Sequence, residues 1–336
     1  MLDNTTEELK MTDEEFELIR DFIHEKSGMF FASNKMYLVK NRLDRRMAEL
    51  SFKTYKDYFY HVKYDTSMKE FHHLMDLMTT NETSFFRNEP QLRCFAEEVL
   101  PSIIKEKTEE GRPKVIKIWS AGCSTGEEPY TLGMICMEQL AAKPGWKVEI
   151  IANDISEEVL QKARRGEYSG ITLRNVQPQQ LTKYFDKIDD LYRVKPEIKA
   201  MVKFSFVNLS ESRMISLNSN CDTIFCRNVM IYFSDEVKRQ IVRGFYNSLR
   251  PGGNFFIGHS ETLHGISKSF KLVYLKNALV YRKEAVGVTT TKPSTGAGLT
   301  AKRLPTTSKI SSMGATSGAS KAIDLLRKIK PMTVKK

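Results

Sequence analysis

The sequence lacks an apolar run long enough to cross a membrane, and it does not begin with a basic, apolar leader. A spanning helix needs about 20 predominantly apolar residues, and a secretory signal needs a positively charged segment followed by an apolar one. The chain instead starts MLDNTTEELKMTDEEF, which is acidic and polar. We therefore expect a cytoplasmic protein without membrane insertion, whose 336 residues at 41% hydrophobic content allow two domains with buried cores.

Cysteine and histidine are also scarce, and neither is spaced as a metal ligand. The five cysteines form no CxxC pair, and the six histidines, including the neighbours His72 and His73, form no ligand motif. An odd number of thiols lying mostly in apolar stretches is typical of buried, unpaired cysteines. We therefore expect free thiols and no metal.

The excess of positive charge lies in the C-terminal segment. Of the 52 Lys and Arg residues, ten fall within residues 285–336 beside the single acid Asp324, so the rest of the chain is nearly neutral. The segment is rich in Ser, Thr, Gly, Ala and Lys, so burial cannot offset its ordering entropy. We expect a disordered basic tail at 285–336, and no nucleic-acid partner for the folded body.

Residues 1–104 show the pattern of a small all-helical domain. Thr12 precedes three acids and an apolar stripe that begins at Phe16, and Gly28 follows the last periodic residue, which is typical of a capped amphipathic helix. Further stripes at helical spacing occur around Leu43 and Leu74. The sequence therefore predicts several packed helices before residue 105.

Residues 105–284 change to short β-rich runs that alternate with helical segments, which predicts an α/β domain with a parallel sheet. The runs are VIKIWSAG, KVEIIANDI, VKFSFVNLS, CDTIFCRNV and GNFFIGHS. A long polar stretch at about 166–203 interrupts the alternation. We expect it to be an inserted subdomain.

The bend after the first predicted strand indicates the ligand. AGCSTGEE at 121–128 has two glycines but no GxGxxG pattern, and Glu127 and Glu128 would repel a pyrophosphate. Carboxylates suit a ligand that carries an amine and a sulfonium group. Asp154 ends the second predicted strand, where nucleotide-binding folds place an acid against ribose hydroxyls. Together these acids favour S-adenosylmethionine.

Six sequence blocks in one order resemble the CheR family of chemotaxis receptor methyltransferases. They are TNETSFFR (80–87), AGCSTGEEPY (121–130), ANDIS (152–156), VNL (207–209), CRNVMIYF (226–233) and GHSE (258–261). The resemblance covers residues 12–283. It implies a Rossmann-like class I SAM-dependent methyltransferase domain, an N-terminal helical domain and a small β insertion subdomain.

The resemblance also implies roles for particular residues. Arg87 and Tyr232 correspond to catalytic positions, with Tyr232 near the transferred methyl group. The expected cofactor-binding residues are Asn81, Thr83, Arg87, Glu127, Glu128, Asp154, Asn208, Leu209, Arg227 and Asn228. The sequence leaves open whether Glu127 or Glu128 meets the methionyl amine.

The implied reaction is methyl transfer from S-adenosylmethionine to receptor glutamates, giving glutamyl methyl esters and S-adenosylhomocysteine. The implied partner is the cytoplasmic helical bundle of a membrane receptor array. Arg42, Arg45 and Arg46 lie on a basic helix and are the expected docking residues. The stretch YFDKIDDLYRV lacks the glycine-containing loop of members that bind a receptor's C-terminal pentapeptide, so we expect docking without that tether.

Three other functions fit the sequence less well. An adenine amino-methyltransferase typically carries [DN]PP[YF], whereas the corresponding strand end reads RNVMIYF. A dehydrogenase would need the missing glycine pattern. A non-catalytic sensor that keeps the cofactor fold is opposed by the presence of Asn81, Arg87, Asp154 and Tyr232.

Overall fold

The N-terminal part of the molecule is a four-helix domain. The computed structural model describes residues 9–79 and 82–285, and residues 285–336 therefore lie almost entirely outside the described part. The four helices are α1 (Asp13–Ser27), α2 (Met36–Glu49), α3 (Tyr55–Tyr64) and α4 (Lys69–Met78). Their apolar faces form one buried cluster that includes Phe16, Leu43 and Leu74. The expected stripes are thus core faces.

Helix α1 begins and ends where the sequence indicates. The Thr12 side chain accepts a hydrogen bond from the Glu15 amide, and Glu15 accepts one from the Thr12 amide, which forms a capping box. Gly28 adopts a left-handed conformation with φ of 72° and donates to the carbonyl of His24. Both predicted ends are confirmed.

The predicted domain boundary at residue 104 lies too far along the chain. Helices α5 (Glu89–Cys94) and α6 (Leu100–Glu109) follow the four-helix domain, joined by a π-helical turn at Phe95–Val99. Their buried side chains, from Leu92 to Ile104, belong to the core that covers the sheet. The helical periodicity is continuous through this region, so it does not show which core each helix joins.

Ten strands and six further helices make up the rest of the described chain. The strands are β1 (Val115–Ala121), β2 (Lys147–Asp154), β3 (Glu167–Tyr168), β4 (Phe185–Ile188), β5 (Leu191–Val194), β6 (Val202–Phe206), β7 (Cys221–Cys226), β8 (Leu249–Ile257), β9 (Phe270–Tyr274) and β10 (Leu279–Lys283). The helices are α7 (Glu127–Leu140), α8 (Glu157–Arg165), α9 (Pro178–Tyr184), α10 (Pro196–Lys199), α11 (Ser212–Ser216) and α12 (Asp235–Ser248).

Seven strands form one sheet in the order β6-β2-β1-β7-β8-β10-β9. The first five are mutually parallel. Strand β10 lies antiparallel to both β8 and β9. The chain order reverses beside β1, and ligands of open α/β sheets bind at the carboxyl ends of strands at such a point. The five predicted strand runs are confirmed, whereas the antiparallel β9–β10 pair was not foreseen.

The predicted insertion is a separate small sheet of three antiparallel strands in the order β3-β5-β4. Helix α9 leads into β4, and α10 leads out towards β6. Asp189 and Asp190 alone connect β4 to β5, with Asp189 at a φ of 50°. The connection is therefore a two-residue hairpin turn.

Candidate active site

A cavity of about 250 Å³ lies at the carboxyl ends of β1, β2, β6 and β7. Residues that follow each of these strands line it, together with residues from the segment after α4. The lining side chains include Met29, Thr79, Glu82, Thr83, Ser84, Arg87, Ser124, Glu128, Thr131, Asp154, Ile155, Val207, Leu209, Arg227, Asn228, Ile231 and Tyr232. The cavity therefore lies where the strand order reverses.

Two glycines allow the bend after β1 to approach its neighbours closely. Gly122 has a φ of 75°, and an added Cβ would lie 2.3 Å from a methyl of Val229. Gly126 has a φ of 96°, and its added Cβ would lie 2.9 Å from Ala163. A side chain at either position would need strained backbone as well as displaced neighbours. The glycines thus allow the bend to pack against α8 and against the segment that follows β7.

The neighbouring acids Glu127 and Glu128 occupy different environments. The Glu128 carboxylate lines the cavity, accepts from the Ser120 hydroxyl at 2.7 Å and lies 3.3 Å from Arg227. Glu127 is fully buried away from the cavity, and both its oxygens accept from Thr125. Burial raises the pKa of Glu127 to about 7. The expectation that Glu127 contacts the cofactor is therefore not supported, because consecutive helical residues point in different directions.

Asp154 is fixed by the backbone at the end of β2. Its carboxylate accepts from the amides of Ser124 at 2.8 Å and Ser156 at 3.0 Å. Burial raises the pKa of Asp154, whereas the hydrogen bonds from these two backbone amides lower it. The carboxylate is only slightly exposed and faces the cavity, so it is a rigid acceptor at the cavity wall.

Two arginines place positive charge beside Glu128. Arg227 is buried, and it donates to the main-chain carbonyl of Arg87 at 2.6 Å. Burial lowers the pKa of Arg227, and the charge of Glu128 partly offsets that effect. The Arg87 guanidinium lines the cavity and donates to the carbonyl of Glu82 at 2.8 Å. The cavity thus carries both signs of charge at short range.

Several buried polar atoms beside the cavity have no hydrogen-bond partner among the described residues. They are the Ser124 hydroxyl, Nε of Arg227 and one carboxylate oxygen of Glu261. Buried polar atoms are almost always paired in folded proteins. The Ser124 hydroxyl and Nε of Arg227 belong to residues that line the cavity, and they therefore fit a wall that completes its hydrogen bonds with a polar ligand.

Most of the expected site residues lie together in this cavity. Thr83, Leu209, Asn228 and Tyr232 line it along with the charged residues above. Asn208 does not, because its amide ties the chain to α1 by donating to the carbonyl of Lys26 at 2.7 Å. The structure therefore does not place the Asn208 side chain at the cavity, where the family resemblance had implied a cofactor contact. Asn81 lies outside the described residues.

The N-terminal domain contributes to the cavity through a contact that sequence patterns did not indicate. Met29 lines the cavity and pairs with Phe233 in a single antiparallel bridge. The amide of the next residue, Phe30, donates to the carbonyl of Tyr232 at 2.8 Å. No local signal distinguishes Met29 from a core methionine. Ser124 was likewise missed, although its position in the glycine-containing bend could have suggested it.

The three arginines of α2 have different surroundings. Arg45 is exposed and pairs with Glu49 on the same helix at 2.9 Å. Arg42 is partly buried, its guanidinium donates to the carbonyl of Met78, and burial lowers its pKa. Arg46 makes a bidentate pair with the buried Glu70, at 2.9 and 2.6 Å. Arg46 is thus engaged in a structural ion pair, and its expected docking role stays a prediction.

The cavity suits a zwitterionic nucleoside ligand such as S-adenosylmethionine. Glu128 is placed to accept from an ammonium, Arg87 to donate to a carboxylate and Asp154 to accept from hydroxyls. Apolar side chains of Ile155 and Leu209 line the same cavity. No group of His, Cys, Asp and Glu within residues 9–79 and 82–285 could hold a metal. All five cysteines are free and buried, as expected.

Comparisons with known proteins agree with this arrangement. The family described as "CheR methyltransferase, SAM binding domain" matches residues 81–279, and "CheR methyltransferase, all-alpha domain" matches residues 14–79. Chemotaxis protein methyltransferase 2 of Vibrio cholerae is 36% identical over 281 residues, which cover 83% of this chain and 96% of that protein. The chemotaxis protein methyltransferase of Escherichia coli is 35% identical over 272 residues, covering 80% and 91%.

Likeness to solved structures is much weaker. The magnesium protoporphyrin IX methyltransferase of Synechocystis with bound SAM aligns with a TM-score of 0.28 and 12% identity, over 67% of this chain and 94% of that one. That score carries no argument about this site. The two family matches and the extent of sequence identity are the informative comparisons. They agree with a class I sheet preceded by an all-helical domain. The chain belongs to the CheR methyltransferase family.

Proposed function

We propose that this protein transfers a methyl group from S-adenosylmethionine to glutamate side chains of chemotaxis receptors, forming glutamyl methyl esters. The observation that carries the proposal is the cavity at the strand reversal, where Glu128, Asp154 and Arg87 converge. The relatives named chemotaxis protein methyltransferases support the choice of receptors as acceptors.

Each wall of the cavity has a separate task in this proposal. Arg87 binds the methionyl carboxylate, Glu128 the methionyl ammonium and Asp154 the ribose hydroxyls. Thr83, Leu209, Arg227 and Asn228 complete the cofactor-binding wall, and Asn81 keeps the cofactor-binding role that the family resemblance implies. These assignments follow from hydrogen-bonding chemistry, since a guanidinium only donates and an ionised carboxylate only accepts.

The chain's contribution to the reaction is positioning rather than proton transfer. S-adenosylmethionine supplies a methyl group on a sulfonium sulfur, and S-adenosylhomocysteine is the product. A glutamate in solution has a pKa of about 4.3, so the acceptor is already ionised at neutral pH. Tyr232 and Arg87 orient that carboxylate, and the apolar side chains of Met29 and Ile231 help to exclude water.

The receptor's helical bundle docks on α2 through Arg45 and Arg42. Arg45 is highly exposed, and within the described part of the chain it pairs only with the exposed Glu49 on the same helix, so an acidic helix can compete for its guanidinium. Arg42 extends the basic surface towards Tyr232. Charge complementarity of this type mainly accelerates encounter and selects partners.

Receptor binding is proposed to need no C-terminal pentapeptide tether. The β4–β5 turn contains only Asp189 and Asp190, so no extended loop that could hold a peptide lies between these two strands. We further propose that the enzyme acts in the cytoplasm and is recruited to membrane receptor arrays. Among the described residues, no helix is both long enough and apolar enough to cross a bilayer.

The test is transfer of labelled methyl from S-adenosylmethionine to a panel of receptor cytoplasmic fragments. We expect at least one fragment to be labelled, and mild base to release the label as methanol. Changing the labelled glutamates to alanine should abolish the labelling. Base-stable label would indicate a different acceptor group. Binding of the cofactor without any labelling would favour a sensor and contradict the proposal.

The tether is tested in the same assay. A fragment that ends before the receptor's C-terminal pentapeptide should be labelled with the same KM as the full-length fragment. If removal of the pentapeptide raises KM by roughly tenfold, corresponding to about 1.4 kcal/mol of binding, tether-independent docking is wrong while the methyltransferase assignment stands.

A further inference from the structure

Glu261 lies at the carboxyl end of the sheet, just outside the cavity, and has no role in the chemistry described so far. It belongs to the tight turn that follows β8, in which its amide donates to the carbonyl of Gly258 at 3.0 Å. One of its carboxylate oxygens accepts from the amide of Asn228 at 2.8 Å and from that of Gly258 at 2.6 Å. The side chain thus joins the ends of β7 and β8.

Asn228 is the cavity residue that this contact fixes. It lines the cavity and has a φ of 61°, which L-residues other than glycine seldom adopt. A left-handed residue costs roughly 1 kcal/mol or more, although asparagine tolerates it better than most residues. A hydrogen bond from its own amide to a carboxylate offsets that cost, because charge-assisted bonds are stronger than neutral ones.

Gly258 is shaped to admit the Glu261 side chain. A Cβ added at Gly258 would lie 2.7 Å from the bonded oxygen of Glu261 and 3.0 Å from the amide nitrogen of Asn228. Even alanine at this position would therefore displace one of the two hydrogen-bonded groups. The absence of a side chain at Gly258 and the presence of a carboxylate at Glu261 serve the same contact.

We propose that Glu261 is a positioning residue that holds Asn228 in its left-handed conformation and so sets the cofactor-binding wall after β7. The inference rests on the proposed function, since it takes the cavity to be the S-adenosylmethionine site. Glu261 acts through Asn228 and the adjoining Arg227, and it does not itself line the cavity.

The experiment measures S-adenosylhomocysteine binding to the full chain by calorimetry. Glu261→Ala is expected to weaken binding by about tenfold, or about 1.4 kcal/mol. Glu261→Gln keeps an oxygen that accepts both amides, so its dissociation constant should stay within about threefold of the unsubstituted protein, or 0.7 kcal/mol. Gly258→Ala should reproduce the effect of Glu261→Ala, because its methyl group disrupts the same contact.

Glu15→Ala is the matched control for a general loss of stability. Glu15 also accepts from two backbone amides, those of Thr12 and Lys56, but it lies in the four-helix domain and does not line the cavity. We expect it to lower the melting temperature without changing the dissociation constant. An equal loss of binding in Glu15→Ala and Glu261→Ala would make the effect one of stability and would overturn the inference.

Two further results would also contradict a positioning role. Unchanged binding by Glu261→Ala would show that Asn228 does not need the contact, and equal losses in Glu261→Gln and Glu261→Ala would implicate charge rather than hydrogen bonding. In turnover, the KM for S-adenosylmethionine should rise more than kcat falls. If no receptor fragment is methylated, the proposed function fails, but the binding series still decides the role of Glu261.

Discussion

The two ends of β7 carry charge clusters of similar composition that differ in how completely they are paired. At the amino end, Asp222 is fully buried and accepts from Lys107 at 2.6 Å, Arg250 at 2.6 Å and the amide of Lys117 at 2.8 Å. Arg250 has a second carboxylate partner in Glu106 at 2.9 Å. We call this cluster closed, because each of these charged side chains has a partner of opposite charge.

The cluster at the carboxyl end is open, in the sense that some of its polar atoms have no partner among the described residues. Arg227 and Glu128 lie 3.3 Å apart beside a cavity, and Nε of Arg227 and one oxygen of Glu261 lack partners among the described residues. Only four residues, all in β7, lie between Asp222 and Arg227 in the sequence. Burial and charge alone therefore do not identify a binding site, whereas buried polar atoms that lack partners around a cavity do indicate one.

Asp222→Ala should produce the largest effect on stability and no effect on the site. Removing one partner of a buried ion pair typically costs about 3–5 kcal/mol, because the remaining charges stay buried. We expect a loss of this size in urea unfolding. A loss below about 1 kcal/mol, as exposed pairs show, would mean that the cluster at the amino end is not the structural one.

Arg87→Ala should have the largest effect on the reaction. Loss of a charge-assisted, bidentate contact to the methionyl carboxylate is expected to reduce kcat/KM by roughly 100-fold, with little change in the melting temperature. Arg93→Ala is the matched control, since Arg93 is half exposed and pairs with Glu89 on α5. Normal turnover by Arg87→Ala would remove Arg87 from the site.

Glu127→Gln should reveal a pH-dependent cost of burying an acid that the site does not use. The pKa of Glu127 is raised by burial from 4.5 to about 7. Between these values the folded state binds more protons than the unfolded one, so the free energy of unfolding falls as pH rises. At pH 8 the substitution should stabilise the protein by on the order of 2 kcal/mol, and at pH 4.5 this advantage should be absent.

The control for that profile is Glu157→Gln in the first turn of α8, where the side chain is partly exposed. Its effect should stay within about 0.5 kcal/mol at both pH values. A stabilisation by Glu127→Gln that is equal at pH 4.5 and pH 8 would contradict ionisation of a buried carboxyl as its cause.

The smallest expected effect distinguishes the arginines of α2. Arg45→Ala should raise the KM for receptor fragments by about threefold at low salt, and this effect should shrink at high salt. Arg46→Ala should instead lower stability by about 2 kcal/mol, because Glu70 is left buried without its bidentate partner. Equal effects of both substitutions on KM would support the predicted docking role of Arg46.

Much of the fold could be predicted from local patterns. Capping residues and apolar periodicity placed α1 and the other N-terminal helices, and alternation of β-rich runs with helices placed the five parallel strands. The site residues could be predicted as a group because carboxyl ends of parallel strands meet at one edge of the sheet. Asp154 and Glu128 follow from that rule together with the family resemblance.

The misses share a physical cause, which is that they depend on contacts between distant segments. Which of Glu127 and Glu128 faces the cavity depends on the rotation of α7, and the ion pair of Arg46 depends on the buried Glu70 twenty-four residues away. Asn208 was expected at the cofactor, but its amide is used to hold α1. A sequence pattern specifies a residue's face on its own element and not its partner across the fold.

The measurement that tests the contrast most directly is S-adenosylhomocysteine binding by Asp154→Ala and Asp222→Asn, compared with the unsubstituted protein at a temperature where all three are folded. Asp154→Ala should weaken binding by at least tenfold, or about 1.4 kcal/mol, whereas Asp222→Asn should stay within about twofold, or 0.4 kcal/mol. Equal weakening by both, or unchanged binding by Asp154→Ala, would contradict an open ligand site at one end of β7 and a closed structural cluster at the other.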